Sequence, residues 1–228
     1  MAGARAVRVG VIDSGGPEAE LAGSRLFLPD GTWITARPDL LGHGTAVAEV
    51  VRRACPEVQI VHAQVFRDRP VTTAVQVATA LEWLSGQKAD ALEIDVICLS
   101  LGLAADRAPL RRACAAAVTA GRIVVAAHPA RGGPCFPASY PGVIAATGDA
   151  RCAWDALSAL DGGVIGAWCG SPERGHAGQG GASLAAGRVA GHLAARLAGG
   201  ARFTDGAAAR QALIAEASFF GPERRGCA

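Results

Sequence analysis

Short apolar runs with the length of buried strands alternate with helical segments along most of this sequence. The apolar runs lie at residues 7–12, 58–66, 95–102, 122–127 and 142–148. Apolar residues at helical spacing lie at residues 42–51, 72–83, 110–120 and 183–197. Alternation of this kind predicts a mostly parallel sheet with helices on both faces. The predicted fold class is therefore α/β: a doubly wound, three-layer αβα arrangement.

Length and charge limit the organisation and the partners. A chain of 228 residues, half of them hydrophobic, can bury one sizeable core, so we expect a single compact domain over residues 1–228. The net charge is only +2, and arginine pairs are isolated from one another. A nucleic acid or an anionic membrane is therefore not an expected partner. No apolar run reaches the length of a membrane-spanning helix.

The start of the chain and its cysteines indicate the cellular compartment in which the protein is expected. No signal peptide precedes the first strand, so we expect a cytoplasmic protein. The seven cysteines are odd in number, scattered and without a CxxC pair. Reduced thiols that pack as small hydrophobic groups are the expected state, and neither a metal site nor a cofactor is predicted.

Three polar residues stand where chemistry is often found in such folds. Asp13 follows the first apolar run, at the carboxyl end of a central strand. His43 is predicted at the amino end of a helix, where the helix dipole disfavours its cationic form. Ser183 lies on the first turn of a small-residue helix that follows a glycine-rich loop at residues 178–181.

Each of these residues also has an ordinary explanation. Asp13 could be a cap, a ribose or metal ligand, or the neighbour of a phosphate loop at residues 14–16. His43 could be a surface histidine and Ser183 an N-cap. What joins them is their order along the chain, Asp, His, Ser, which is the order of the subtilisin triad.

The sequence resembles the subtilisin-like serine proteases (subtilases, peptidase family S8) at five places. The matching segments are VGVIDSG at residues 9–15, GHGTAVA at 42–48, SLG at 100–102, FPASYPGVI at 136–144 and GASLAAGRVAG at 181–191. Together they span most of the chain, from about residue 7 to residue 197. The resemblance implies a subtilisin-like fold and a serine endopeptidase.

The resemblance also assigns roles to residues. It implies Ser183 as the nucleophile, His43 as the general base and Asp13 as the residue that orients His43. It further implies that the backbone at Ser100, Leu101 and Gly102, together with Ala126 and Ala127, binds the substrate.

Two departures from the family pattern bear on activity and packing. The asparagine whose amide binds the oxyanion in the family is replaced by Ala130, which leaves the Ser183 backbone N–H as the inherited donor. His128 is a candidate substitute donor, and a loop histidine with no catalytic part is the alternative. The Pro-His pair of the family is replaced by Gly187 and Arg188, a change expected to alter packing more than chemistry.

We expect no inhibitory pro-domain and no calcium site, because the first strand begins within ten residues of Met1 and no Asp-rich loop is present. These expectations favour a dedicated protease that removes a leader from a specific peptide or small protein partner. A subtilase fold that only binds peptide or acts as a scaffold is the alternative. A nucleotide-binding protein that uses residues 14–16 is a third hypothesis, but it does not explain His43 or Ser183.

Overall fold

The computed structural model describes residues 5–86, 93–170 and 180–222. Its strands are β1 (Arg8–Asp13), β2 (Arg25–Phe27), β3 (Trp33–Thr35), β4 (Gln59–Gln64), β5 (Val96–Leu99), β6 (Ile123–Ala127), β7 (Ile144–Gly148), β8 (Leu157–Ala159), β9 (Ile165–Ala167) and β10 (Phe219–Phe220). Its helices are α1 (His43–Ala54), α2 (Ala74–Leu84), α3 (Ala108–Thr119), α4 (Ala182–Ala198) and α5 (Gly206–Ala215).

All these strands form one sheet in the order β10-β8-β9-β7-β6-β5-β1-β4-β2-β3. The seven strands from β9 to β2 pair in parallel, and antiparallel pairing is confined to β2 with β3 and β8 with β9. Strand β1 lies between β4 and β5 near the middle of the sheet. The predicted α/β fold with a mostly parallel sheet is confirmed.

Helices cover both faces of the sheet. Alternate residues of β1 point to opposite faces, so Val9 and Val11 pack towards α1 and α4, whereas Ile12 packs towards α2 and α3. Gly10 also faces α2: a Cβ atom there would lie 2.8 Å from Leu84 Cδ1. The missing side chain lets this helix approach the centre of the sheet closely. None of the helices in the described ranges is long and apolar enough to cross a membrane.

Local signals explain most helix ends. Thr73 caps α2 with a capping box, in which its hydroxyl accepts from Gln76 N and the Gln76 side chain accepts from Thr73 N. Gly121 follows α3 with a φ of 74°, the left-handed conformation that glycine favours after a helix. The β-branched and aromatic run Trp33–Thr35 forms the short strand β3.

The sequence did not predict β2, β8, β9, β10 or α5. These strands have two or three residues each, too few for a periodicity to be read from the sequence. Of the glycine-rich loop predicted before Ser183, residues 178 and 179 lie outside the described ranges.

Candidate active site

Asp13 ends β1 and is fully buried. Its Oδ1 atom accepts a hydrogen bond from Ser14 N at 2.6 Å, and its Oδ2 atom accepts one from Ser100 Oγ. The His43 Nδ1 atom lies 2.9 Å from Oδ1 and 2.7 Å from Oδ2. Buried carboxylates are stable only when their oxygens are satisfied in this way, and this arrangement holds the charge against one side of the His43 ring.

His43 is the first residue of α1, and a close contact places it at Asp13. A Cβ atom on Gly44 would lie 2.3 Å from Gly15 O, so only glycine lets the first turn of α1 rest on the loop after β1. The Gly44 N–H donates to Ser14 Oγ at 2.8 Å and fastens the contact. Two glycines in the sequence, Gly15 after Asp13 and Gly44 after His43, allow the contact that places His43 at Asp13.

The two ring nitrogens of His43 have different surroundings. Nδ1 faces Asp13, and within the described part of the chain no group forms a hydrogen bond with Nε2. The hydrogen bond to Asp13 raises the pKa of His43 above its ordinary 6.5; burial opposes the rise, and the charges of Asp13 and Asp39 add to it. With the proton on Nδ1, Nε2 is free to accept a proton from a nearby hydroxyl.

Asp39 is a second acidic residue at this site, and the sequence analysis missed it. It caps the start of α1: Oδ1 accepts from Leu41 N and Gly42 N, and Oδ2 accepts from Thr45 N and Thr45 Oγ1. Burial raises the pKa of Asp39, but the hydrogen bonds from Thr45 and its neighbours outweigh burial, so the pKa falls below the ordinary value. Asp39 is therefore a fixed negative charge near His43. An acid a few residues ahead of a predicted helix start was the available signal.

Helices α1 and α4 pack side by side through glycine contacts. A Cβ atom on Gly187 would lie 3.2 Å from Val47 Cγ1, and one on Gly191 would lie 2.9 Å from Val51 O. Residues one turn apart on α4 thus contact residues one turn apart on α1, and the two helices run in the same direction. The Gly187 that departs from the family pattern is one of the two small residues that keep the helices close.

Ser183 lies one turn before Gly187, just as His43 lies one turn before Val47. The helix register therefore brings the serine and the histidine to facing turns at the amino ends of the two helices. The Ser183 hydroxyl donates to the Ser100 backbone oxygen at 2.7 Å. Because the Ser100 hydroxyl contacts Asp13, one residue connects the serine to the aspartate–histidine pair.

The backbone N–H groups of the first turn of α4, around Ser183, have no hydrogen-bond partner among the described residues. The first backbone bond within α4 is from Ala185 N to Gly181 O, so the Ser183 N–H precedes the helical ladder. Such an N–H can bind a negatively charged oxygen.

Neither of the two other predicted oxyanion positions supplies a side-chain donor at Ser183. Ala130 is exposed and has no polar side chain. The His128 N–H continues the pairing of β6 with β7 by donating to Ala146 O at 2.8 Å, so its side chain follows the strand alternation. That side chain lies with Tyr140, Val143 and Arg210 around a cavity of about 300 Å³, on the α3 side of the sheet, whereas Ser183 is on the α4 side. The structure does not bring His128 to Ser183.

The predicted substrate-binding segments lie at the ends of neighbouring strands. β5 and β6 pair in parallel up to Leu99 and Ala126. Beyond that point, Leu101 and Gly102 have no backbone hydrogen bond to any described residue. Free N–H and C=O groups along such an edge can pair with an extended peptide.

The acid limb of the pH–rate profile should reflect His43. Because the base must be neutral and its pKa is raised, we expect the rate of a reaction at Ser183 to fall as the pH drops through a value above 6.5. Asp39→Asn removes one of the charges that raise this pKa and should move the limb to lower pH. The rate of labelling by a fluorophosphonate, measured from pH 5 to 9, tests both statements. A limb that stays in place or moves upward in the variant would contradict the role given to Asp39.

Two solved structures align with this chain over most of its length. A cold-adapted subtilisin-like serine proteinase aligns with a TM-score of 0.71 and 20% identity, over 93% of this chain and 84% of that chain. A lanthipeptide protease aligns with a TM-score of 0.64 and 17% identity, over 90% of this chain and 78% of that chain. No protein-family model and no curated protein matches the sequence. The fold of this chain is that of the subtilisin-like proteases.

Proposed function

We propose that this chain is a serine endopeptidase in which Ser183 is the nucleophile, His43 the general base and then acid, and Asp13 the residue that orients His43. The observation that carries the proposal is the hydrogen-bonded pair of buried Asp13 and half-buried His43, with Ser183 on the facing helix turn. The Asp13 carboxylate selects the tautomer with the proton on Nδ1 and stabilises the imidazolium formed during reaction.

The reaction begins with a change in the partner of Ser183. Its hydroxyl turns from the Ser100 oxygen to His43 Nε2. As Oγ attacks the scissile carbonyl carbon, its proton passes to Nε2, and the oxygen of the tetrahedral intermediate faces the Ser183 N–H. The imidazolium then donates that proton to the leaving amine. Water repeats the sequence on the acyl-enzyme and regenerates the free serine.

The substrate is proposed to bind as an added strand along Ser100, Leu101 and Gly102, the segment that follows β5. The free backbone groups at Leu101 and Gly102 would pair with it, and Ala126 and Ala127 would form the opposite wall. These small residues leave room for the peptide backbone beside Ser183.

Loss of the asparagine amide should slow this reaction without abolishing it. In subtilisin, removing one oxyanion donor costs about 10²–10³ in rate. We expect Ala130→Asn to raise the single-turnover rate by up to the same factor. His128→Ala should change that rate little, because His128 lies on the other side of the sheet. Both rates should be measured on the same peptide by quenched flow. A collapse in His128→Ala, with no gain in Ala130→Asn, would instead assign the missing donor to His128.

A weak oxyanion site suits an enzyme whose partner supplies positioning through binding. We therefore propose limited proteolysis, the removal of a leader from one peptide or small protein in the cytoplasm, with slow turnover of casein or short chromogenic peptides. The fold shared with a lanthipeptide protease supports a peptide substrate. The sequence also resembles the compact subtilase that processes the small, cross-linked subunit of quinohemoprotein amine dehydrogenase, so that precursor is a specific candidate.

Reaction with a fluorophosphonate tests the proposal without knowledge of the substrate. Oγ displaces fluoride from phosphorus, and the proton leaves through His43. We expect one added phosphonyl group in the intact mass, mapped to Ser183 by tandem mass spectrometry. Absence of labelling in folded protein across pH 6–9, or labelling at another residue, would reject the enzyme and favour the peptide-binding scaffold.

A further inference from the structure

The ends of β5 and β6 separate beside Ser183. After Leu99, the chain leaves β6, and Leu103 pairs with Phe136, with backbone distances of 2.7 and 2.9 Å. Ala127, in contrast, stays paired with Ala146 of β7. The two chain segments therefore part between Gly102 on one side and Ala127 on the other, where a Cβ atom on Gly102 would lie 3.8 Å from Ala127 O. This narrow gap is called the cleft below.

The thiol of Cys135 occupies the inner end of this cleft. A Cβ atom on Gly102 would lie 2.1 Å from Cys135 Sγ, so the sulfur takes the space that a side chain at residue 102 would need. The same sulfur lies 3.9 Å from Ala127 O, on the opposite wall. Cys135 thus contacts both sides of the cleft.

The backbone holds Cys135 in this position. Its N–H donates to Ser139 Oγ at 3.1 Å, and the next residue, Phe136, is fixed by its pairing with Leu103. Among the described cysteines, Cys135 is the half-buried one and the others are buried. Burial raises the pKa of Cys135, so the group in the cleft is a neutral thiol and not a thiolate nucleophile.

The cleft is next to the reacting serine. Ser100, whose carbonyl accepts from the Ser183 hydroxyl, lies two residues before Gly102 on the same extended segment. A peptide paired with this segment, with its scissile carbonyl at Ser183, would direct the side chain on the acyl side of the scissile bond into the cleft.

We propose that Cys135 restricts the residue on the acyl side of the cleaved bond to glycine, alanine or serine. This inference rests on the proposed function and names the substrate class of the same site. A thiol that contacts both walls leaves space for a methyl or hydroxymethyl group and excludes leucine and phenylalanine. The selection depends on the volume of the side chain at residue 135 and not on thiol chemistry.

The test uses two peptidyl phosphonate diphenyl esters that differ only in carrying an alanine or a phenylalanine side chain next to phosphorus. Serine attack expels phenol, and intact mass gives the labelling rate. We expect the wild-type protein to react at least about 10-fold faster with the alanine probe, and Cys135→Gly to move the ratio about 10–100-fold towards phenylalanine. Cys135→Ser, which removes the thiol but gives up only part of its volume, should stay much closer to the wild-type ratio than Cys135→Gly.

The controls separate the two proposals. A plain fluorophosphonate, which has no side chain for the cleft, shows whether Ser183 reacts in each protein, and the alanine and phenylalanine rates are compared only within one protein. If it labels none of them, the proposed protease function fails, and this inference fails with it. If it labels all of them but the alanine-to-phenylalanine ratio is the same in Cys135→Gly as in the wild type, the role of Cys135 is rejected and the protease remains. A ratio in Cys135→Ser shifted as far as in Cys135→Gly would reject the volume argument.

Discussion

Ser183→Ala is expected to lower the rate of peptide cleavage by about 10⁶-fold, the size of the loss when a triad serine is removed from subtilisin. The variant lacks the oxygen that attacks the carbonyl, and the neighbouring Ser100 hydroxyl is held against the Asp13 carboxylate. Folding should change little, because the only hydrogen bond that the structure gives to the Ser183 hydroxyl, within its described residues, is a neutral one of about 1 kcal/mol. Peptide binding, measured by fluorescence anisotropy, should persist.

Ser85→Ala is the matched control. The Ser85 hydroxyl also donates to a backbone carbonyl, that of Leu81, at 2.7 Å, but it lies at the end of α2 on the other face of the sheet. This variant should cleave at the wild-type rate. Cleavage by Ser183→Ala within 10-fold of the wild type would reject Ser183 as the nucleophile.

Asp13→Asn is expected to lower the cleavage rate by about 10⁴-fold while peptide binding is retained. An asparagine offers one acceptor and one donor where the carboxylate offers two acceptors. It cannot accept from Ser14 N, Ser100 Oγ and His43 Nδ1 together. Turning its amide NH₂ towards His43 would select the tautomer with the proton on Nε2, which cannot accept the serine proton.

Asp39→Asn controls for this change, because it is the same isosteric substitution of a second acid near His43. It weakens the cap at Thr45 but keeps the Asp13–His43 hydrogen bond, so it should shift the pH profile and lower the rate at high pH far less than Asp13→Asn does. Single-turnover rates at pH 9, with circular dichroism to verify folding, compare the two variants. A loss of less than 10-fold in Asp13→Asn, or equal losses in both, would show that Asp13 does not set the His43 tautomer.

The sequence predicted the elements that carry the candidate site because each has a local signal. β1 is a buried apolar run, α1 begins within a glycine-flanked histidine motif, and α4 combines small residues with helical spacing. The order of strands and helices was sufficient for the fold class, since the alternation permits few arrangements other than a parallel sheet.

Features that depend on distant parts of the chain could not be predicted. β8 and β10 exist as strands because they pair with chain segments already in place, not because of their own sequences. Cys135 resembles any small hydrophobic residue until Gly102, more than thirty positions earlier, is brought against it. The His128 alternatives remained open for the same reason: the face of the sheet to which the side chain points depends on the pairing of β6 with β7.

The spacing between the proposed base and nucleophile is determined in the protein interior. Gly191 is two turns from Ser183, roughly 12 Å along α4, yet a methyl group there would press against Val51 and Ala54 and push the helices apart. A variant with a side chain at residue 191 would fold with Ser183 displaced from His43. Its cleavage would be slow, although the segments that bind the substrate are unchanged. A screen for inactive variants of this chain would therefore also select positions with no access to substrate, and the α1–α4 contact would behave genetically as part of the catalytic machinery.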